Sequence, residues 1–174
     1  ARLRDAIFTG PDWLAVDGGS IGEEELLRRA QSRLETAELK TVAAEILADW
    51  HLDALWPKDG METVVAELLG RGWPLYILSN AGRRFRDFQY KIPHVERFRG
   101  ILVSAEEKLL KPDAKIYARL CEKFGLKPEG CLFIDDSQAN VEGARALGME
   151  GYCFADGDAQ RLRAAMGWSS SSLP

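Results

Sequence analysis

The stretch Cys131-Leu-Phe-Ile-Asp135-Asp136-Ser-Gln-Ala-Asn140 decides the fold. Residues 131–134 are apolar at every position, the pattern of a strand covered by helices on both faces rather than of one with a wet face. Two adjacent carboxylates, Asp135 and Asp136, then end it. Like charges side by side at the rim of a core cost free energy unless a cation or dense hydrogen bonding compensates them. A helix cap employs one aspartate, not two. Magnesium takes oxygen ligands of this kind, which makes Asp135 and Asp136 candidate metal ligands.

Working outward, short apolar runs alternate with amphipathic segments. The pattern predicts helix 61–70, strand 75–78, helix 83–90, strand 101–103, helix 113–124, strand 131–134, helix 138–147, strand 151–154 and helix 159–166. Helical crossovers make parallel pairing the economical arrangement, so the expected fold class is α/β, a doubly wound parallel sheet. Before Trp56 and Pro57 no strand is evident. Leu26, Leu27, Ala30 and Leu34, then Val42, Ile46 and Leu47, fall near helical spacing and predict a small helical unit, with Ser20 and Glu23 as a capping box at its start. The expected organisation is a helical segment over 1–55, an α/β core over 56–168 and a small polar tail over 169–174.

In such sheets ligands collect beyond the carboxyl ends of the strands, where helix amino termini point unpaired amides at an anion. Ser79 and Asn80 follow the run Leu75-Tyr-Ile-Leu78, and Gly82, Arg83 and Arg84 come next. A hydroxyl and a backbone amide there suit a phosphate oxygen; the competing reading is an ordinary helix cap. Lys111 stands in Leu109-Leu-Lys-Pro-Asp113, where the proline biases its backbone away from helix and itself suits a first helical position. The competing reading is a solvated lysine. Between Ser79 and Lys111 there is room for a helix, a strand and a turn, and between Lys111 and Asp135 for a helix and a strand, which predicts that all three signals face one crevice. An anion grip, a cation and a metal pair together are what phosphoryl transfer requires.

Composition narrows the function classes. The chain has 174 residues, 46% of them hydrophobic, and a net charge of −4. That is enough for one compact core, and it lacks the basic stripe of a nucleic-acid binder. No run approaches the roughly 20 apolar residues of a membrane span, and no secretory signal pattern opens the chain, so a cytoplasmic, membrane-free protein is expected. Cys121, Cys131 and Cys153 are far apart with apolar neighbours and are expected as buried reduced thiols. Oligomeric state leaves no mark in the sequence.

Through Leu78-Ser-Asn80, Lys111-Pro-Asp-Ala-Lys-Ile-Tyr117 and Ile134-Asp-Asp-Ser-Gln-Ala-Asn-Val-Glu-Gly-Ala144, in that order, residues 57–155 resemble the haloacid dehalogenase superfamily. Pro57-x-x-Gly60, Gly72-Trp73 and Ala146-Leu-Gly-Met149 resemble the subfamily with a helical cap, and Trp13-Leu-Ala-Val-Asp-Gly-Gly-Ser-Ile-Gly-Glu-Glu-Glu25 resembles part of such a cap, as in sugar-phosphate phosphatases. The resemblance implies a Rossmann-like core and a magnesium-dependent phosphatase of a small phosphorylated metabolite. It implies that Ser79 and Asn80 hold the phosphoryl group, that Lys111 neutralises it, that Asp135 and Asp136 hold Mg2+ and that Asn140 supports them. The family's nucleophile is the first aspartate of a D-x-D motif on the first strand, which forms an aspartyl-phosphate. Asp5 and Asp12 follow no apolar strand and Asp17 has Gly19 where the second acid belongs, so none fits. A buried sheet lacking its central strand would leave many amides and carbonyls unpaired. About 10 to 30 residues carrying that strand are therefore expected upstream of Ala1. A metal-independent 2-haloacid dehalogenase and a non-catalytic binding module of the same fold remain as alternatives; the paired acids weigh against the first. Arg28, Arg29 and Arg33 are expected on a solvated helix face, the competing reading being contact with an acidic substrate; Trp13, Trp50 and Trp56 are expected in core or cap packing, the competing reading being a wall that keeps water from the active site; His51 and His94 have no assigned role.

Overall fold

A computed structural model of the chain describes residues 3, 7, 8, 10–53 and 55–167. Asp5 and the expected tail, 169–174, lie outside the described residues. The chain divides into two compact units, one formed by Ala1–Trp56, Leu78–Gln89 and Leu102–Leu110, the other by Pro57–Ile77, Tyr90–Ile101 and Lys111–Pro174. No helix among the described residues is long and apolar enough to cross a membrane.

In the first unit, α1 (Pro11–Asp17), α2 (Glu23–Ser32) and α3 (Ala37–Asp53) pack around Val16, Leu26, Ala30, Leu34, Ala43 and Leu47. The helical periodicity found these residues with one slip of register: Ala43 takes the buried face of α3 and the adjacent Val42 is exposed. The expected capping box is absent. α2 starts at Glu23 behind Gly22, and the Ser20 hydroxyl instead donates to the carbonyl of Ala15 at 3.0 Å, closing the turn after α1. Gly19 in that turn has a φ of +68°, and a Cβ there would stand 2.2 Å from the carbonyl oxygen of Ala105, so both conformation and contact require glycine. The cap arginines are not a merely solvated face: Arg28 and Arg29 pair with Glu25, while Arg29 and Arg33 clamp Asp12 at 2.9 and 2.6 Å. Two guanidinium groups hold the Asp12 carboxyl below its ordinary range.

In the second unit, β3 (Leu132–Asp135) pairs in parallel with β4 (Glu150–Cys153), Leu132 opposite Glu150 and Asp135 opposite Cys153. α4 (Met61–Gly70) and the last described helix, Ala159–Ala165, enclose Val64, Leu68, Phe154 and Leu162. Arg163 and Glu67, 2.6 Å apart, tie these two helices together. β1 (Tyr76–Ser79) neighbours β2 (Gly100–Val103). Between these strands lie the short α5 (Phe85–Phe88) and, after β2, α6 (Ser104–Glu107), α7 (Ala114–Phe124) and α8 (Gln138–Ala146). Numbered in the same order, Ala159–Ala165 is α9.

The strands and helices follow the expected alternation to within a residue or two, apart from α5, where a single α turn continues as a 3-10 turn over Gln89–Lys91, and the short α6, which the sequence pattern does not predict. The architecture is α/β and Rossmann-like. Among the described residues, however, the strands fall into two two-stranded sheets, β1-β2 and β3-β4, rather than one. Accordingly β3 is not covered on both faces along its length: Phe133 is buried, while Leu132 is 36% exposed. The three cysteines are free thiols, with Cys121 buried and the other two half-buried.

Candidate active site

Ser79 closes β1 and Asn80 opens the loop after it, both in the first unit. They are not a helix cap, since α5 begins only at Phe85, with Arg84 in the capping position. The loop is anchored by Ser104, a fully buried residue at the end of β2. Its hydroxyl accepts from the Ala81 amide at 2.9 Å and donates to the Asp17 carbonyl at 2.5 Å, so one side chain joins the end of α1 to the loop after β1. The Asp17 side chain returns to the same loop and accepts from the Gly82 amide. Burial pushes the Asp17 carboxyl up to about 6, the Gly82 amide opposing it only in part. Leu14-Ala-Val16 before it is helical, not a strand, so Asp17 does not stand in a D-x-D strand context.

A cavity of about 290 Å³ opens beside Ser79 and Asn80 within this unit, its lining including Trp13, Trp50, Phe85 and Phe88 and also Asp17. Trp13 and Trp50 meet edge to face, with centroids 5.5 Å apart, and Trp50 and Phe88 do so at 5.7 Å. Trp13 and Trp50 thus line a cavity as well as packing against each other, whereas Trp56 is exposed. Arg84, one of the basic residues next to the predicted anion grip, is committed elsewhere: it pairs with Glu23 through Nε at 2.6 Å and donates to the Ala48 carbonyl at 2.8 Å. His51 is buried against Trp50 and Phe88.

Lys111, Asp135 and Asp136 belong to the second unit. Lys111 Nζ donates to Asp135 Oδ2 at 2.6 Å, each side chain being only 8% exposed. The ammonium also lies 5.6 Å from the centre of the Phe133 ring. Asp135 Oδ1 accepts from the Ser137 amide and from Asn140 Nδ2, both at 2.9 Å. Burial pushes the Asp135 carboxyl up, but the bonds from Lys111, Asn140 and Ser137 outweigh it and hold the group below its ordinary range. Tyr117, fully buried on α7, donates to the Asn140 carbonyl at 2.7 Å. Burial, and then the charge of Asp135, push its phenol up to about 12, so it stays a donor. Asp136 is exposed beside this network.

The two acids therefore differ from the like-charged pair the sequence predicts: one is neutralised by a buried lysine and the other faces water. Pro112 also departs from expectation. It follows a cis peptide bond outside the helix, and α7 is capped instead by the Asp113 side chain, which accepts from the Lys115 amide at 2.9 Å. Sequence reasoning missed the roles of Asp17 and Ser104; of the aromatic wall it offered Trp13 and Trp50 only as a competing reading and did not find Phe85 or Phe88. Ser104 alone carried a signal, as a hydroxyl ending the apolar run 101–103.

Among the described residues no three His, Cys, Asp or Glu side chains gather into a metal cluster. Magnesium does not need one, since it commonly takes one or two carboxylates and completes an octahedron with water and substrate phosphate. A carboxylate offers about four lone-pair sites. Asp135 uses three of them, two on Oδ1 and one on Oδ2, and the exposed Asp136 adds another carboxylate. The donors present fit that ion.

Residues 10–148 match the family model of haloacid dehalogenase-like hydrolases. A sesquiterpene phosphatase of Aspergillus oryzae is 30% identical over 156 residues, which cover 86% of this chain and 76% of that protein. A chloroplast flavin mononucleotide hydrolase of Arabidopsis thaliana is 25% identical over 146 residues, covering 84% of this chain but only 58% of its own length. In fold, the chain is similar to a family enzyme of Bacteroides thetaiotaomicron crystallised with magnesium and inorganic phosphate, with a TM-score of 0.65, 22% identity and coverage of 84% and 75% of the two chains. With a family model spanning most of its length, the chain belongs to the haloacid dehalogenase-like hydrolase family.

Proposed function

We propose that the protein is a magnesium-dependent phosphatase of a small phosphorylated metabolite, working through an aspartyl-phosphate. The observation that carries this reading is the end of β3, where Lys111 and Asp135 form a buried pair at 2.6 Å with Asp136 exposed next to them. A buried ion pair is weak evidence of stabilisation, because its desolvation cost rivals its attraction, so its presence at a strand end points to chemistry. The phosphatase and flavin mononucleotide hydrolase among its relatives support the same reading.

In this mechanism the Ser79 hydroxyl and the Asn80 amide grip the phosphoryl oxygens, and Lys111 neutralises negative charge on them. Asp135, oriented by Asn140, and Asp136 hold the metal; bound there, magnesium supplies positive charge to the phosphoryl oxygens in the transition state. An aspartate carboxylate attacks phosphorus, the alcohol leaves and the aspartyl-phosphate forms. Water then hydrolyses the aspartyl-phosphate and regenerates the carboxylate.

The test is turnover of p-nitrophenyl phosphate by the native enzyme. Excess chelator is expected to abolish it, magnesium to restore it, and Asp136→Ala to lower kcat by at least about 100-fold. Undiminished turnover in chelator would exclude this reading and favour the metal-independent dehalogenase chemistry of the same fold.

A further inference from the structure

We propose that the alcohol this enzyme releases is apolar, a phosphate monoester of an unsaturated or aromatic alcohol being its substrate rather than a sugar phosphate. The proposal rests on the phosphatase reading and adds to it the chemistry of the leaving group. The space beside Ser79 and Asn80 is the 290 Å³ cavity of the first unit, and its walls are four aromatic rings, with Val16 and Leu55 adding further apolar surface.

Several polar groups at that cavity are engaged by neighbours, and Trp50 Nε1, buried without a hydrogen-bond partner among the described residues, adds one donor. Glu23 and Arg84 are bonded to each other, and Arg84 also to the Ala48 carbonyl. Asp17 takes the Gly82 amide. A sugar ring brings four or five hydroxyls, each needing a partner once desolvated, and a site that leaves them unpaired rejects them strongly. An unsaturated hydrocarbon needs none. It gains from burial and from ring edges and faces already held at interplanar angles of 64° to 77° by their neighbours. The edge-to-face chain of Trp13, Trp50, Phe88 and Phe85 is preformed, so little side-chain freedom is lost when the cavity fills. The reaction balances as an ordinary monoester hydrolysis. The bond between phosphorus and the alcohol oxygen breaks, water supplies the new oxygen on phosphorus, and one proton of that water ends on the released alcohol.

The experiment compares farnesyl phosphate, 1-naphthyl phosphate and glucose 6-phosphate on the native enzyme with saturating magnesium, inorganic phosphate serving as competitor, and follows tryptophan emission in parallel. Expected is a kcat/KM at least about 50-fold higher for the two apolar esters than for the sugar ester, the equivalent of burying three methylenes. Phe88→Ala is expected to reduce that ratio about tenfold and Phe88→Leu to restore most of it. Farnesyl phosphate should shift the emission, and Trp13→Phe should diminish the change. Equal or better turnover of glucose 6-phosphate, still inhibited by inorganic phosphate, overturns the apolar leaving group and leaves the phosphatase reading standing. If no monoester is turned over, the phosphatase reading fails, and emission decides the pocket: a shift with farnesyl phosphate but not glucose 6-phosphate supports it, and no shift overturns it.

Discussion

At the residue scale, two carboxylates in opposite electrostatic states give opposite pH signatures. Asp17 is destabilised as an anion: its carboxyl sits near 6 in the folded chain, above the value of about 3.9 for an unfolded aspartate. Between these values the unfolded chain ionises first, so the native state loses stability as pH rises through that window. Asp17→Asn keeps an acceptor for the Gly82 amide and carries no charge. The Tm of the variant minus that of the parent is expected to grow from pH 4 to pH 7, and a flat difference would contradict this account. Asp135 behaves the other way, with its carboxyl held low by Lys111, Asn140 and Ser137, so its contribution is present above the unfolded value and is lost as pH falls through the folded one. Lys111→Met leaves that carboxylate buried without its cation. Urea melts near pH 7 should show a loss of about 3–5 kcal/mol, shrinking near pH 3 as the group protonates.

At the element scale, the position of the Lys111 loop depends on how closely α8 approaches it. Gly143 lies inside α8, and a Cβ there would stand 2.6 Å from the Pro112 carbonyl oxygen and 2.9 Å from the Tyr117 ring. Alanine in a helix interior is ordinarily better than glycine by up to about 1 kcal/mol. Here the backbone contact reverses the sign, and Gly143→Ala is expected to cost about 1–3 kcal/mol by overpacking. Because the carbonyl it strikes belongs to the residue after Lys111, kcat should fall along with thermal stability. A stabilised variant would show that the helix and loop separate freely.

At the scale of the whole molecule, each unit has its own apolar cluster, one around Leu26 and Leu47, the other around Val64 and Phe154. Periodicity and strand-end chemistry were enough to locate nearly every element and to single out Ser79, Asn80, Lys111, Asp135 and Asp136, because local hydrophobic spacing and the clustering of charge at strand ends are properties of adjacent residues. Three things were decided only by tertiary structure. Lys111 neutralises Asp135, so the paired acids are not a like-charged pair; Ser104 and Asp17 hold the loop after β1; and four aromatic rings from three helices distant in sequence line one cavity. Each depends on contacts between residues from 23 to more than 60 positions apart, and at such separations neither periodicity nor motif spacing carries information, since chain geometry alone leaves the partner of a side chain undetermined.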